Sequence, residues 1–222
     1  MKNILTILAY SLFSAAALFF VEQSVGVSYA LKTALKICLF LVVPLAYSRL
    51  RSGGFANPLR GISLKSVLSG VFVGVASFLA VIVAYRLLSA SIDLAGISTE
   101  LEMKLGITAL NFIFIGLYIM FVNSLLEEYF FRNIVLLGIL REGRRLTAYL
   151  YSSILFSLYH MSIFMQWFEG KILFLSLFGL FVIGIIYSYM NEKSGHFVSS
   201  WIAHAIADMA IITIGLRMFG II

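Results

Sequence analysis

The sequence predicts an all-α membrane protein, a polytopic transmembrane helix bundle of about seven to eight spans. Hydrophobic residues make up 62% of the 222 residues and charged residues only 12%, and the mean hydropathy is +1.04. Soluble domains contain about 25% charged residues, so this chain has too few to cover a surface that faces water. The apolar residues also fall in runs of about 20, the length that crosses a bilayer as a helix.

Seven apolar segments are long enough to be spans. In chain order they are residues 4–21, 28–47, 66–89, 106–140, 146–166, 172–190 and 196–219. The fourth is too long for one crossing at about 1.5 Å per residue. Either its ends project from the membrane or it is broken, which leaves an eighth crossing or a re-entrant piece open. The first is longer than the roughly 7–15 apolar residues of a signal peptide and has no cleavage site of small residues after it. We therefore expect an uncleaved first span.

The charges between the segments predict the orientation. Loop 48–65 carries four basic residues and no acidic one, namely Arg49, Arg51, Arg60 and Lys65. Short loops rich in Lys and Arg stay in the cytoplasm. Loop 90–105 has three acidic residues against Lys104, whereas the loop after the fourth segment has Arg141, Arg144 and Arg145. The sides therefore alternate, and we expect a cell-membrane protein with a cytoplasmic N-terminus. These basic loops also account for the net charge of +6 without a nucleic-acid partner.

Four further residues receive structural interpretations. Lys32 and Lys36 lie early in the second span, where we expect their long side chains to snorkel to the headgroup region. His196, beside Gly195 at the start of the last span, is interpreted as interfacial. Cys38 is the only cysteine, so it forms no internal disulfide and is predicted to pack as a small apolar residue.

Ionisable residues within three of the predicted spans are the main functional signal. In chain order they are Glu127, Glu128, Arg132, His160, His204 and Asp208. A charge at bilayer depth costs about 3 kcal/mol or more, so such residues favour a functional interpretation. Glu128 and Arg132 are four residues apart on one helical face and can pair. Glu127 points about 100° away around the helix, so the two glutamates need not have the same role.

These side chains are also predicted to share one depth. Counted from the nearest cytoplasmic loop, Glu127 and His160 each lie 14 residues into a helix and His204 lies 11 residues in. At about 1.5 Å per residue the depths are about 21, 21 and 16 Å. Three separate helices would therefore bring carboxylates and imidazoles to one layer that is reachable from the cytoplasmic side.

Two kinds of chemistry suit such a layer. A carboxylate in a low dielectric becomes a better general base, and a neighbouring histidine can share the proton. Histidine or protonated acid donors opposite it can stabilise an oxyanion. Two histidines with one or two carboxylates would equally suit Zn²⁺ with a water in the open position. The ligands would then be Glu127, His160, His204 and Asp208.

Three ordered motifs resemble the CAAX prenyl endopeptidase and bacteriocin-processing family, also called CPBP or Abi, whose members are intramembrane proteases. The motifs are Glu127-Glu128-x-x-x-Arg132, Phe156-x-x-x-His160 and His204-x-x-x-Asp208. Each motif alone is weak, but three in order on hydrophobic helices are specific. We therefore divide the chain into N-terminal helices and loops (1–105), a protease-like core (106–217) and a short tail (218–222).

The resemblance implies a role for each motif residue. Glu127 would activate a water together with His160, while Glu128 assists or orients and Arg132 holds the carboxylate pair. His204 and Asp208 would line an oxyanion site or, in a metalloprotease, help to hold the metal.

Asp208 departs from the family pattern, because the prenyl endopeptidases resemble this chain with Asn at that position. An ionised aspartate cannot donate a hydrogen bond to an oxyanion, so Asp208 would be protonated, orient His204 or bind metal. The resemblance implies a peptide or protein substrate at or in the membrane, in prenylated-protein processing, bacteriocin maturation, self-immunity or membrane-protein turnover.

Two other classes stay open. Intramembrane Glu, His and Asp also form proton relays, so a proton-coupled transporter is an alternative, although inverted repeats and interrupted helices that favour one are absent from the sequence. A non-catalytic membrane scaffold or immunity protein is the other. Other intramembrane proteases fit less well, because the sequence has no His-Glu-x-x-His helix and no Gly-x-Gly-Asp.

Overall fold

The computed structural model describes residues 2–24, 27–50 and 61–222, which form eight helices and no strand. The first four are α1 (Lys2–Gln23), α2 (Tyr29–Ile37, a π-helical stretch Cys38–Val42 and Val43–Leu50), α3 (Leu64–Leu88) and α4 (Leu94–Leu105). The last four are α5 (Phe112–Leu140), α6 (Arg145–Trp167), α7 (Gly170–Ser194) and α8 (Val198–Met218). The predicted all-α helix bundle is confirmed. Arg51 and Arg60 of the predicted basic loop lie outside the described residues.

Six of these helices, all except α4 and α6, are long and apolar enough to cross a membrane. Helix α6 has 23 residues, the length of a span, but contains many hydroxyl side chains. Four of its serines are buried against neighbouring helices, and a helix face that does not meet lipid need not be apolar. The six candidate spans are thus close to the predicted seven, and α6 has the length of a seventh.

The long fourth segment is one helix. Residues Phe112–Leu140 run for 29 residues, about 43 Å at 1.5 Å per residue, against a hydrocarbon core of about 30 Å. An eighth crossing within 106–140 is therefore not formed, and the alternative of one long helix is correct. This helix contains two π-helical stretches, Tyr118–Asn123 and Tyr129–Leu136, which lie on either side of the α-helical turn Ser124–Glu128.

The prediction of a loop over 90–105 is wrong, because residues Leu94–Leu105 form α4. The side chain of Asp93 accepts a hydrogen bond from the Gly96 amide at 2.9 Å, which satisfies a free donor of the first turn. Gly106 ends the helix in the left-handed conformation with φ +65°, a position that favours glycine. Both signals were present in the sequence, but α4 has too few apolar residues to stand out as a span.

Helix α5 forms the centre of the bundle. Every residue from 126 to 139 is buried, and this stretch packs against α2, α6, α7 and α8. Aromatic rings fill the contact with α2 and α6: Phe130 stacks on Phe40 with ring centroids 4.0 Å apart, and Phe131 meets Phe156 edge-on. The two predicted glutamates thus lie on the most enclosed helix of the structure.

Helix α8 is placed by α3. A Cβ added to Gly74 of α3 would lie 2.8 Å from the Ile206 Cβ, and one added to Gly70 would lie 2.6 Å from the Ser199 carbonyl oxygen. The two backbones can approach this closely only because both positions are glycine. Cys38, predicted to pack as a small apolar residue, lies exposed on α2.

Candidate active site

Helices α5, α6 and α8 bring the six predicted residues into one cluster, with Glu127 at its centre. The Glu127 Oε1 atom accepts hydrogen bonds from Lys36 Nζ at 2.6 Å and from Asn123 Nδ2 at 2.9 Å. Its Oε2 atom lies 3.4 Å from His160 Nε2 and 3.9 Å from His204 Nε2, and is buried without a hydrogen bond among the described residues. One carboxylate oxygen is therefore anchored while the other faces two imidazoles.

The orientation of His160 is fixed by its own helix. Its Nδ1 lies 2.9 Å from the Phe156 carbonyl oxygen, which can only accept, so Nδ1 carries a proton. The Nε2 atom is thereby turned toward Glu127. The Phe156 ring meets the imidazole edge-on with centroids 4.7 Å apart. The spacing of the Phe156-x-x-x-His160 motif thus has a structural basis, since residues four apart share one helix face.

Glu128 has a different set of partners from Glu127. Its Oε1 atom accepts from His204 Nδ1 at 3.0 Å, and its Oε2 atom lies 3.4 Å from Arg132 Nε. The predicted pairing of Glu128 with Arg132 is thus observed. Because Glu128 holds Nδ1, the Nε2 atom of His204 points back toward Glu127 and lies 3.7 Å from Asp208 Oδ1.

Arg132 is enclosed on all sides. Its side chain is fully buried, and it donates from Nη1 to the Ser152 hydroxyl at 3.1 Å. The guanidinium carbon lies 4.5 Å from the centre of the Phe156 ring and 5.7 Å from that of Tyr187. A guanidinium between two aromatic faces is stabilised by cation–π attraction. Phe156 therefore contacts both Arg132 and His160 and sets their relative position.

The cluster has a closed side and an open side. The side chains of Glu127 and Glu128 are 2% and 0% exposed, whereas those of His160 and Asp208 are each 14% exposed and that of His204 is 11% exposed. A substrate would therefore meet the histidines and Asp208 first, with the glutamates behind them. The Asp208 Oδ2 atom is buried without a hydrogen bond among the described residues, so the carboxyl group has a free polar atom.

The expectation that Lys36 snorkels to the headgroup region is wrong. Its side chain is only 10% exposed and its ammonium contacts Glu127 and Asn123. A carboxylate at 2.6 Å in a low dielectric attracts an ammonium far more strongly than a distant headgroup does. Asn123 and Lys36 were both missed by the sequence interpretation. Asn123 precedes Glu127 by one turn, which is a usable signal, but nothing in the sequence places Lys36 beside α5.

The structure also shows the partners of Lys32 and His196, the other two polar residues that were interpreted from the sequence. Lys32 pairs with Glu22 at 2.9 Å, and these side chains are 13% and 23% exposed. His196, which was interpreted as interfacial, is fully buried at the turn between α7 and α8, and its Nδ1 accepts from the Val198 amide at 3.3 Å. Burial lowers the pKa of His196. His196 lies outside the cluster, between α7 and α8.

The arrangement does not fit a resident metal ion. Among the described residues, no group of three or more His, Cys, Asp or Glu side chains is placed to hold one. The zinc set suggested by the sequence would also require Glu127, whose Oε1 already contacts the ammonium of Lys36 at 2.6 Å. A divalent cation at this carboxylate would lie beside a like charge, which is unfavourable in a low dielectric.

Comparison with known proteins finds a family similar to the segment that contains the cluster. Residues 109–210 match the family described as type II CAAX prenyl endopeptidase Rce1-like. The recognition of the family from three short motifs is confirmed, and the matched segment contains all six predicted site residues. No curated protein and no solved structure matches the chain significantly. The apolar helices and this match together show an integral membrane protein related to a family of proteases.

Proposed function

We propose that this chain, whose residues 109–210 match the Rce1-like prenyl endopeptidases, is an intramembrane endopeptidase that uses a water activated by Glu127 and His160. Its substrates are membrane-associated or lipidated peptides and proteins. The observation that carries the proposal is that the two oxygen atoms of the Glu127 carboxylate have different surroundings. Glu127 Oε1 is fixed by Lys36 and Asn123, which leaves Oε2 facing His160 at 3.4 Å.

Glu127 is the general base in this proposal. Glu127 Oε2 and His160 Nε2 lie 3.4 Å apart, so a water bound beside them on the open side of the cluster can hydrogen-bond to both at about 2.8 Å and is oriented by both groups. Glu127 takes a proton as the water oxygen bonds to the carbonyl carbon, and the carbonyl electron pair moves onto its oxygen. The carbon–nitrogen bond then breaks, and the proton passes from Glu127 to the leaving nitrogen.

His204 and Asp208 stabilise the oxyanion. The buried charges of Glu127 and Glu128 are balanced by Lys36 and Arg132. Neutrality then leaves one acidic proton to be shared by His204 Nε2 and Asp208, which lie 3.7 Å apart. That proton is directed at the substrate oxygen, and a donor in this position contributes on the order of 10²-fold to the rate.

The test is cleavage of membrane peptides by the purified protein. A panel of tagged peptides, with and without a lipid chain, is incubated in detergent with wild type, Glu127→Gln, His160→Ala and the control Glu102→Gln, an exposed carboxylate on α4. We expect both site variants to lose on the order of 10³-fold in rate and the control to match wild type. Site variants that cleave like wild type would show that the assignment is wrong.

Removal of metal separates two mechanisms for the same site. Because Lys36 already supplies the positive charge beside Glu127, we expect activity to survive prolonged dialysis against a strong chelator. The measurement is the cleavage rate before and after dialysis, together with the metal content of the protein. Activity that disappears and returns with added Zn²⁺ would support the metalloprotease alternative instead.

A transporter would give a different result in proteoliposomes. Flux that depends on Glu127, with no cleavage of any peptide, would favour the proton-coupled class. For the location we propose the cell membrane with a cytoplasmic N-terminus, on the basis of the basic loops.

A further inference from the structure

The second span contributes a positively charged side chain to the site, whereas the six predicted site residues all lie within the family-matched segment. Lys36 lies on α2, 73 residues before residue 109, where the family match begins. Its Nζ atom is 2.6 Å from Glu127 Oε1 and also donates to Asn123 Oδ1. The N-terminal helices are thus more than a support for the core, because one of them contacts the proposed general base directly.

The charges of the cluster explain why this contact is needed. Glu127 and Glu128 are adjacent in the chain and both buried, and among the described residues the ion-pair partner of Arg132 is Glu128. Without Lys36, the described cluster would contain a second buried carboxylate with no full counter-charge. A buried ion that loses its partner is strongly destabilised. Lys36 therefore neutralises the charge of Glu127, as Arg132 neutralises that of Glu128.

Aromatic rings hold the ammonium in place. The Nζ atom of Lys36 lies 5.0 Å from the centre of the Tyr159 ring and 5.7 Å from that of Phe40. Cations within about 6 Å of an aromatic ring are attracted to its face. Tyr159 is the residue before His160, so the packing that fixes Lys36 is continuous with the packing of the proposed proton-sharing histidine.

We propose that Lys36 is a positioning residue for Glu127, which it holds by Oε1 so that Oε2 faces the water and His160. This proposal rests on the proposed endopeptidase function. When the water attacks, negative charge leaves the carboxylate for the substrate oxygen, and the fixed ammonium stays beside the site during this transfer. Preorganised charges of this kind lower the barrier because they need not reorient during the reaction.

Lys32 provides a matched control. It lies one turn before Lys36 on the same helix but pairs with Glu22 at 2.9 Å, away from Glu127. Replacement of either lysine by methionine shortens the side chain by only one heavy atom and removes one positive charge from α2. Only the change at Lys36 affects the proposed base.

The first experiment measures kcat and KM of Lys36→Met, Lys36→Arg and Lys32→Met on the best peptide of the panel. For Lys36→Met we expect kcat to fall on the order of 10²-fold with KM within about threefold of wild type, because the contact lies behind the substrate. Lys36→Arg keeps the positive charge, so its kcat should be at least about tenfold higher than that of Lys36→Met. Lys32→Met should match wild type. Equal rates in Lys36→Met and wild type, or no recovery with arginine, would overturn the proposal.

A second experiment separates this proposal from the proposed function. Thermal unfolding in detergent is recorded for Lys36→Met, Glu127→Gln and the double variant, which needs no cleavage activity. If the two groups are counter-ions, the double variant is more stable than the sum of the single effects predicts. Strictly additive shifts in the unfolding temperature would contradict the pairing. If the wild-type protein cleaves no peptide, the proposed endopeptidase function is wrong. A non-additive effect on the unfolding temperature would still show that Lys36 and Glu127 form an ion pair.

Discussion

Glu127 and Glu128 are neighbours in sequence, yet each has its own cation and a different nearest histidine. Glu127 faces Lys36 and His160, whereas Glu128 contacts Arg132 and His204. Consecutive residues on a helix point about 100° apart, so the pair reaches different neighbours. The first glutamate lies nearer the open side through its contact with His160, and the second contacts His204, the proposed proton donor, from behind.

Substitutions of Asp208 test whether this residue donates a hydrogen bond to the oxyanion. Because the family has asparagine at this position and an amide also donates a hydrogen bond, Asp208→Asn should keep activity within about tenfold of wild type. Asp208→Ala removes the donor and should lose on the order of 10²-fold in kcat. The measurement is steady-state cleavage of the same peptide. An inactive asparagine variant would mean that the carboxyl group itself is required, as an acid or a ligand.

Arg132 tests the buried charge balance. In Arg132→Met the carboxylate of Glu128, which is 0% exposed, loses its cation, at a cost of about 3–5 kcal/mol. We expect a clear drop in unfolding temperature in detergent, partly reversed by the added change Glu128→Gln. Arg86→Met, an exposed arginine of α3, serves as the control. A stability equal to wild type would argue against a paired, buried Glu128.

Among the helices, α5 carries an unusual backbone at the site. The turn Ser124–Glu128 lies between two π-helical stretches, Tyr118–Asn123 and Tyr129–Leu136. Such stretches are rare and frequently occur at functional sites. Each one shifts the helix face that follows it, so the direction in which α5 presents its polar residues depends on them. Helix α8 supplies the facing half of the site and is itself positioned by α3.

The contact of α3 with α8 predicts a distant effect on catalysis. In Gly74→Ala the new Cβ would lie 2.8 Å from Ile206 Cβ, so α8 must shift together with His204 and Asp208. A misplacement of about 1 Å can cost on the order of 10²-fold in rate, and we expect kcat to fall at least about tenfold. Gly179→Ala on α7 is the matched control, since nothing lies within 4 Å of its Cβ. Equal rates for both variants would show that α8 does not depend on this contact.

At the scale of the whole molecule, the bundle encloses a polar layer with contributions from both ends of the chain. Helix α2 provides Lys36, α5 both glutamates, α6 His160, and α8 the remaining histidine and Asp208. The outer faces of the helices are apolar and exposed, as expected for contact with lipid. The site therefore extends across the predicted division at residue 106, and the division itself stays a prediction.

The proposed orientation can be tested by cysteine labelling in cells. In a Cys38→Ser background, a cysteine is placed at Ile62, before α3, or at Met103, which is 77% exposed on α4. With a cytoplasmic N-terminus, a membrane-impermeant maleimide should label Met103→Cys in intact cells and Ile62→Cys only after permeabilisation. The reverse pattern would invert the topology.

The sequence by itself determined the membrane environment, the helical class, most helix limits and the identity of the ionisable residues. These follow from hydrophobicity along the chain, because lipid permits only long apolar helices and makes each exception conspicuous. The boundaries of α6, for example, differ by one residue at each end from the predicted 146–166. The four-residue spacing of Glu128 and Arg132 was also sufficient to predict their contact.

Only the tertiary structure decided which partner each charge has. Whether Lys36 reaches a headgroup or Glu127 depends on the rotation of α2 against α5, and that rotation is set by aromatic packing around Phe40 and Phe130. The assignment of His160 to one glutamate and His204 to the other depends likewise on how α6 and α8 meet α5. Contacts between helices arise from packing of whole surfaces, which no local pattern along one helix encodes.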